Sequence, residues 1–496
     1  MSTKSFNILG IKWENPMVKV LFAALLVRLI AVIFSAGYGM HDDHFLIIEA
    51  SASWADGYDY NYWLPWTEGN RGKPEGHSFT YVGLNFLYFY GMKGLGISNP
   101  KVLMLFNRLI HALASLLVVW YGMKITEKMS NRQQAITVGW ILGMLWILVF
   151  VSVRNLVEVA ALPFLVTGCW SLLKDQRISS IFIGGILIGM AVSFRYQIGV
   201  FAIGLALYFL FSKAFKPFFV FSGGVLLTFI ITQGIVDYFI WGYPFAEAIS
   251  YITYNMNEGT TYLPNSNYFM YVIVLCGCLF VPFGLLTGWG FVASAKKHAV
   301  LFVPTLLFLV FHTFYPNRQE RFILSILPFF VMLGIMGYHT LTQTDRIKQW
   351  WKVSYYIFWG LNAFFLVFAS TMYSKKSRVE AMYALYGKVK GNEHILLEGS
   401  SAGRTSMMPK FYSGGWNMRF AERTDEKSPL QPEGTPAYDY IFFFDEKKLP
   451  ERLTAYQTLY PKMHLVKKAE PSLVDWMLRE LNPRNANEYI EVWKTK

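Results

Sequence analysis

Met40-His41-Asp42-Asp43-His44-Phe45 follows directly on an apolar run over residues 18–38. Two adjacent carboxylates and two imidazoles at the end of a membrane span need water, a partner or a function. The run is long enough to cross about 30 Å of hydrocarbon. No small-residue cleavage site follows it, so it reads as a retained signal anchor. Paired acids at the mouth of a span point to chemistry on something lying in, or tethered to, the bilayer.

The rest of the chain has the same character. Its 496 residues are 54% hydrophobic and only 16% charged, against about 25% charged in soluble domains. This is the composition of an integral membrane protein. A net charge of +13 raises nucleic acid as a partner, but the basic residues sit in short loops between apolar runs, which excludes it. Cys169, Cys276 and Cys278 all lie in apolar segments, so neither a disulfide framework nor a zinc site is expected.

Apolar runs occur at 17–37, 102–123, 135–153, 155–173, 179–196, 197–212, 218–240, 267–292, 299–314, 322–342 and 353–373. They predict an all-α polytopic fold of about eleven transmembrane helices over residues 1–373, followed by a soluble domain over 374–496. With a cytoplasmic N-terminus, the inner loops carry Lys124, Lys128 and Arg132; Lys174 and Arg177; Lys213 and Lys216; Lys296 and Lys297; and Arg346, Lys348 and Lys352. That is the positive-inside pattern, and it places the C-terminus outside. The tail has strand-like runs at 395–397 and 440–444 and helical patterning near 451–459 and 472–481, a small α/β domain.

Arg71, Arg108, Arg154, Arg195, Arg318 and Arg321 fall on or near the outer side. Each costs about 2.5–3.5 kcal/mol at mid-membrane, so six together suggest an anionic ligand or acidic partners; snorkelling to lipid phosphates accounts for one or two. Phe194-Arg195-Tyr196-Gln197 interrupts two apolar runs, and a guanidinium fork there suits phosphate oxygens. Pro316-Asn317-Arg318-Gln319-Glu320-Arg321-Phe322 is more charged than a plain hairpin requires. Arg154 and Glu158 are spaced to share a helix face, as an internal ion pair or as ligand groups. Asp42 and Asp43 read either as a general base with its neighbour, as a metal-binding pair, or as solvated loop acids capping a helix. His41 and His44 have i, i+3 spacing beside them, so a divalent metal is conceivable but not favoured, and no cofactor is expected. No glycine-rich nucleotide loop is present.

In order along the chain, these motifs resemble the family-22 mannosyltransferases of the GT-C superfamily. His41-Asp42-Asp43-His44 stands where that family has its acidic motif, followed by Glu49-Ala50, Gly57-Tyr58, Trp66-Thr67-Glu68 and Arg71. Asn107-Arg108-Leu109, Arg154 through Glu158, Arg195, Asp237-Tyr238 with Tyr243-Pro244, and Asn317 through Phe322 resemble its later elements. The departures are His41 for proline, Asn317-Arg318-Gln319 for His-Lys-Glu, and Tyr196-Gln197 after Arg195 for Pro-Thr.

The resemblance implies inverting transfer of a sugar from a polyprenyl-phosphate donor to a glycan or glycolipid acceptor. The reaction would lie on the outer face of a bacterial inner membrane; in a eukaryote the protein would reside in the ER membrane. Asp42 and Asp43 would be catalytic, and Arg195, Arg318 and Arg321 would hold the donor phosphate. His41, His44, Glu49, Arg71, Arg108, Arg154, Glu158 and Glu320 would bind substrate or support the site. A transporter or flippase for a polyprenyl-linked anionic lipid is the alternative from another class; no inverted repeat or pair of discontinuous helices speaks for it in the sequence.

Overall fold

The computed structural model describes residues 7–8, 11–12, 15–40, 43–69, 72–258, 267–341, 345–399, 407–425, 428–482 and 487–496. His41, Asp42 and Arg71, three of the expected site residues, lie outside them. Contacts divide the chain into two compact units. One comprises 1–32, 63–81 and 108–370; the other comprises 33–62, 82–107 and 371–496.

All eleven apolar runs are helical, but they are not eleven equal spans. Among the described residues, six helical segments are long and apolar enough to cross a membrane: Pro16–Phe34, Pro100–Met129, Val157–Lys174, Phe215–Trp241, Glu320–Tyr338 and Ile347–Thr371. Met270–Cys278 and Val281–Ala293, bent by 114° where they meet, make seven when counted as one span. Ile178–Phe194, Tyr196–Phe211 and Ala299–Phe314 are shorter apolar helices. The run at 135–153 is broken between Arg132–Met144 and Trp146–Val151, where Leu145 turns extended. Broken backbone at membrane depth needs internal partners, and the buried Asn362 supplies them. Its amide donates to the Met144 carbonyl (2.9 Å) and accepts from Trp146 N–H (3.0 Å).

In the first unit, Ile178–Phe194 packs against Leu162–Lys174 and Phe215–Phe229, and Val281–Ala293 against Leu327–Leu341. The last pair meets through glycine: a Cβ on Gly337 would lie 1.8 Å from the Gly290 carbonyl oxygen. Small residues let helices approach closely where lipid offers no hydrophobic drive. Arg28, 2% exposed, ties three helices together by donating to Ser115 Oγ and to the Gly143 carbonyl, each at 2.7 Å.

In the second unit, residues after 371 build a five-stranded sheet ordered Arg419–Arg423, His394–Glu398, Tyr440–Phe444, Ile490–Lys494, His464–Ala469. The first three strands run parallel; Ile490–Lys494 is antiparallel to both its neighbours. Tyr440–Phe444 is buried throughout, as expected of a central strand flanked on both faces. Leu396, Ile441 and Phe443 pack with Tyr456 and Tyr460 beneath Leu449–Leu459. Glu398 is buried between Arg423 Nη1 (2.7 Å) and the Tyr456 hydroxyl (2.9 Å).

Between the first two apolar runs, the described residues of 38–100 are partly helical. They contain the wide helical turn Asp43–Glu49, its continuation Ala50–Ala55, and the helix Phe79–Gly94.

Candidate active site

Arg195 is placed by a break in the chain. Ile178–Phe194 ends there, Arg195 is extended (φ −139°, ψ 105°), and the tight turn Tyr196–Ile198 restarts the helical path. The break frees the guanidinium from a helix surface. Its Nη2 lies 3.0 Å from Glu158 Oε1, and its Nε donates to Gln197 Oε1 at 3.0 Å. Arg321, in the turn Glu320–Ile326, approaches the same Glu158 oxygen with Nε at 3.8 Å and donates to Gln319 Oε1 at 3.0 Å. Both guanidiniums stack near the Phe322 ring, at 5.0 and 5.7 Å. Two cations thus converge on one carboxylate that is 1% exposed.

Tyr251 completes this cluster. Its phenol feels Arg195, Glu158 and Arg321; burial pushes its pKa up and Arg195 draws it back. Sequence reasoning missed Tyr251.

One expectation is corrected. Arg154 and Glu158 do not share a helix face: the helix Val157–Ala160 begins only after Leu156, which is extended (ψ 116°). Glu158 pairs instead with arginines distant in sequence. Arg154 is buried with its guanidinium 4.5 Å from the Phe150 ring.

Arg318 is buried too, donating to the Thr313 carbonyl (2.7 Å) and lying over Tyr268 (4.4 Å). Arg108 donates to the Val32 carbonyl at 2.9 Å. Glu320 is exposed at the start of its turn.

In the other unit, Asp43 opens the Asp43–Glu49 turn and is buried. His44 is sandwiched between the Tyr38 and Tyr412 rings (4.6 and 5.7 Å) and lies 3.3 Å from Glu49. Glu49 is fully buried and accepts from the Phe411 amide at 3.0 Å. His44 and Glu49 therefore fasten the acidic-motif turn to residues 411–412, a supporting arrangement.

Glu247 is the residue that sequence reasoning overlooked entirely. It is fully buried and accepts four hydrogen bonds: from the indoles of Trp63 (3.3 Å) and Trp241 (3.0 Å), and from the amides of Gly76 (2.7 Å) and His77 (2.9 Å). Burial outweighs these donors and lifts its pKa from 4.5 to about 7. The available signal was a lone acid in the apolar stretch Phe245-Ala246-Glu247-Ala248, following a tryptophan.

A model of the Alg9-like mannosyltransferase family matches residues 19–395. The chain belongs to this family. The match takes in the acidic turn and every member of the Glu158 cluster. No curated protein matches the sequence. Among solved structures, ArnT from Cupriavidus metallidurans has TM-score 0.61 at 12% identity, covering 96% of this chain and 97% of that one, both in the apo state and bound to undecaprenyl phosphate. An oligosaccharyltransferase from Archaeoglobus fulgidus has TM-score 0.49 at 13% identity, covering 85% of this chain and 61% of that one. The fold is that of the GT-C membrane glycosyltransferases, and the protein is a multi-pass membrane glycosyltransferase.

Proposed function

We propose that this family member moves a hexose, mannose in the first instance, from a polyprenyl-phosphate donor to a glycan or glycolipid acceptor on the extracytoplasmic face of the membrane. The observation that carries the reading is the meeting of Arg195 and Arg321 on the buried Glu158. Two fixed guanidiniums around one carboxylate, with Tyr251 beside them, form a ready receptor for a phosphate. Glu158 holds the cations in place while the donor is absent.

Asp42 takes the proton of the acceptor hydroxyl as that oxygen attacks the anomeric carbon, with Asp43 at its side. The bond from the anomeric carbon to the phosphate oxygen breaks, and its electron pair leaves with the phosphate. Positioned cations in a water-poor site stabilise the charge that grows there. Arg195, Arg321 and, from the same segment, Arg318 are assigned that task, which leaves no step that calls for a cofactor. A single displacement with one base inverts the anomeric configuration and needs no covalent sugar–enzyme intermediate.

The test is turnover by purified protein given polyprenyl-phosphate-mannose and a glycan acceptor. Release of polyprenyl phosphate with an inverted linkage in the product is expected. Movement of labelled lipid across the bilayer without bond cleavage would establish the transporter alternative instead.

A further inference from the structure

Glu247 lies outside the Glu158 cluster, yet a continuous set of polar contacts connects the two. Its carboxylate holds the amides of Gly76 and His77 and the indoles of Trp63 and Trp241. Its own amide donates to Asp237 Oδ2 at 2.9 Å. One turn on, Ser250 Oγ donates to the Pro74 carbonyl at 2.8 Å. Segment 74–77 is thereby laid along the helix Ala246–Asn257. Gly76 favours this: with φ +80° and a would-be Cβ 3.1 Å from the Tyr251 backbone, a larger residue would be strained and would crowd the helix there.

The same segment then reaches the arginine. Ser78 Oγ donates to the Ser193 carbonyl, two residues before Arg195. Gln233 donates to Ser78 Oγ (3.0 Å) and Thr80 Oγ1 (2.6 Å), and accepts from the Tyr196 hydroxyl (2.6 Å). Tyr196 follows Arg195 directly, and its ring lies 5.2 Å from that of Tyr251. The extended break that frees Arg195 is thus gripped on both sides, and Tyr251 sits on the helix that bears Glu247.

We propose that Glu247 is a positioning residue for the lipid-phosphate donor: it latches residues 74–78 so that Arg195 and Tyr251 are held ready to receive the phosphate. The role rests on the glycosyltransfer reading for what the phosphate belongs to, but the latch itself is a property of the fold. Four N–H donors aimed at one buried carboxyl group leave no acceptor for the NH2 of a carboxamide. A glutamine would turn its NH2 toward either two amides or two indoles, and a buried donor facing a donor is costly.

The experiment uses the full-length protein with Glu247→Gln. Donor KM for polyprenyl-phosphate-mannose is expected to rise about tenfold and kcat to fall with it, since Arg195 also steadies the departing phosphate, while acceptor KM stays near wild type. Binding of polyprenyl phosphate, measured without turnover, should weaken by a similar factor. Amide hydrogen exchange should rise in peptides covering 74–78 and 193–198. Adding Trp63→Phe, which removes one N–H facing the carboxamide, should recover part of the affinity. A rise in exchange at 74–78 with none at 193–198 would overturn the coupling, as would an unchanged donor affinity. Uniform loss of exchange protection with donor and acceptor KM altered alike would reduce Glu247 to a general stabiliser. A wild-type protein that neither binds nor cleaves the donor would instead count against the glycosyltransfer reading, leaving the latch to be judged by exchange.

Discussion

Arg195→Ala should raise the KM for a polyprenyl-phosphate sugar and lower thermal stability, and the two effects can be separated. The guanidinium is 20% exposed and Glu158 only 1%, so one face is open to a ligand and the other is sealed against the carboxylate. A hydrogen bond to a charged group contributes about 1.5–3 kcal/mol, equivalent to roughly 10- to 150-fold in donor affinity. The same substitution leaves Glu158 buried with Arg321 at 3.8 Å as its remaining ion-pair contact, which costs up to about 3 kcal/mol of stability. Glu158→Ala added to Arg195→Ala removes the orphaned charge. The double variant should therefore regain most of the lost melting temperature while its donor KM stays high. The assay is release of polyprenyl phosphate at varied donor, paired with thermal unfolding in the same detergent. Donor KM within about twofold of wild type in Arg195→Ala, or a double variant that recovers donor affinity along with stability, would refute the phosphate assignment.

Three further outcomes are expected. Asp42→Ala should lose turnover by at least about 10²-fold, the low end for general-base catalysis, with donor KM little changed; near-normal kcat removes Asp42 from the role. Glu247 titrates at about 7 in the fold against 4.5 ordinarily, so the native state binds the extra proton between these values and stability must fall as pH rises through that window. The melting temperature of wild type relative to Glu247→Gln should decline from about pH 4.5 to about 7 and level off above; Asp237, whose carboxylate faces the Glu247 amide, is the neighbouring acid, and a difference flat with pH would contradict dominant burial. Arg423→Ala should lower the melting temperature by exposing the buried Glu398 to charge imbalance, at a cost of about 3 kcal/mol, with the Tyr456 hydroxyl still bound; no shift in unfolding would contradict it.

Much of the fold was legible because lipid imposes a simple rule: apolar runs become helices. The rule identifies helical segments but not their breaks. The interruption at Leu145 depends on Asn362, more than two hundred residues away, whose amide rescues the broken backbone. The helix Phe79–Gly94 escaped because Thr80, Asn85 and Lys93 dilute its apolar character. In the sheet, the apolar central strand was readable, whereas Arg419–Arg423 and His464–Ala469 are edge strands. Edges carry charge that blunts pairing with other chains, and so they resemble loops. Ile490–Lys494 was hidden because Glu491 and Lys494 interrupt a short apolar run.

The arginines were legible by cost, since charge among apolar runs must have a reason. Their partners were not. Arg154 and Glu158 have the right spacing for a helical pair, but the chain leaves the helix after Val151 and re-enters one only after Leu156. For Glu247 the local signal is only a lone acid in an apolar stretch; its four donors come from three separate segments, and only folding gathers them.

The most direct measurement mixes purified wild-type protein and Asp42→Asn with polyprenyl-phosphate-mannose labelled in both sugar and lipid, plus a glycan acceptor. Wild type should yield one polyprenyl phosphate for each sugar transferred, and the variant should bind the lipid without cleaving it. Labelled lipid that stays intact in both samples while crossing the bilayer would contradict the account.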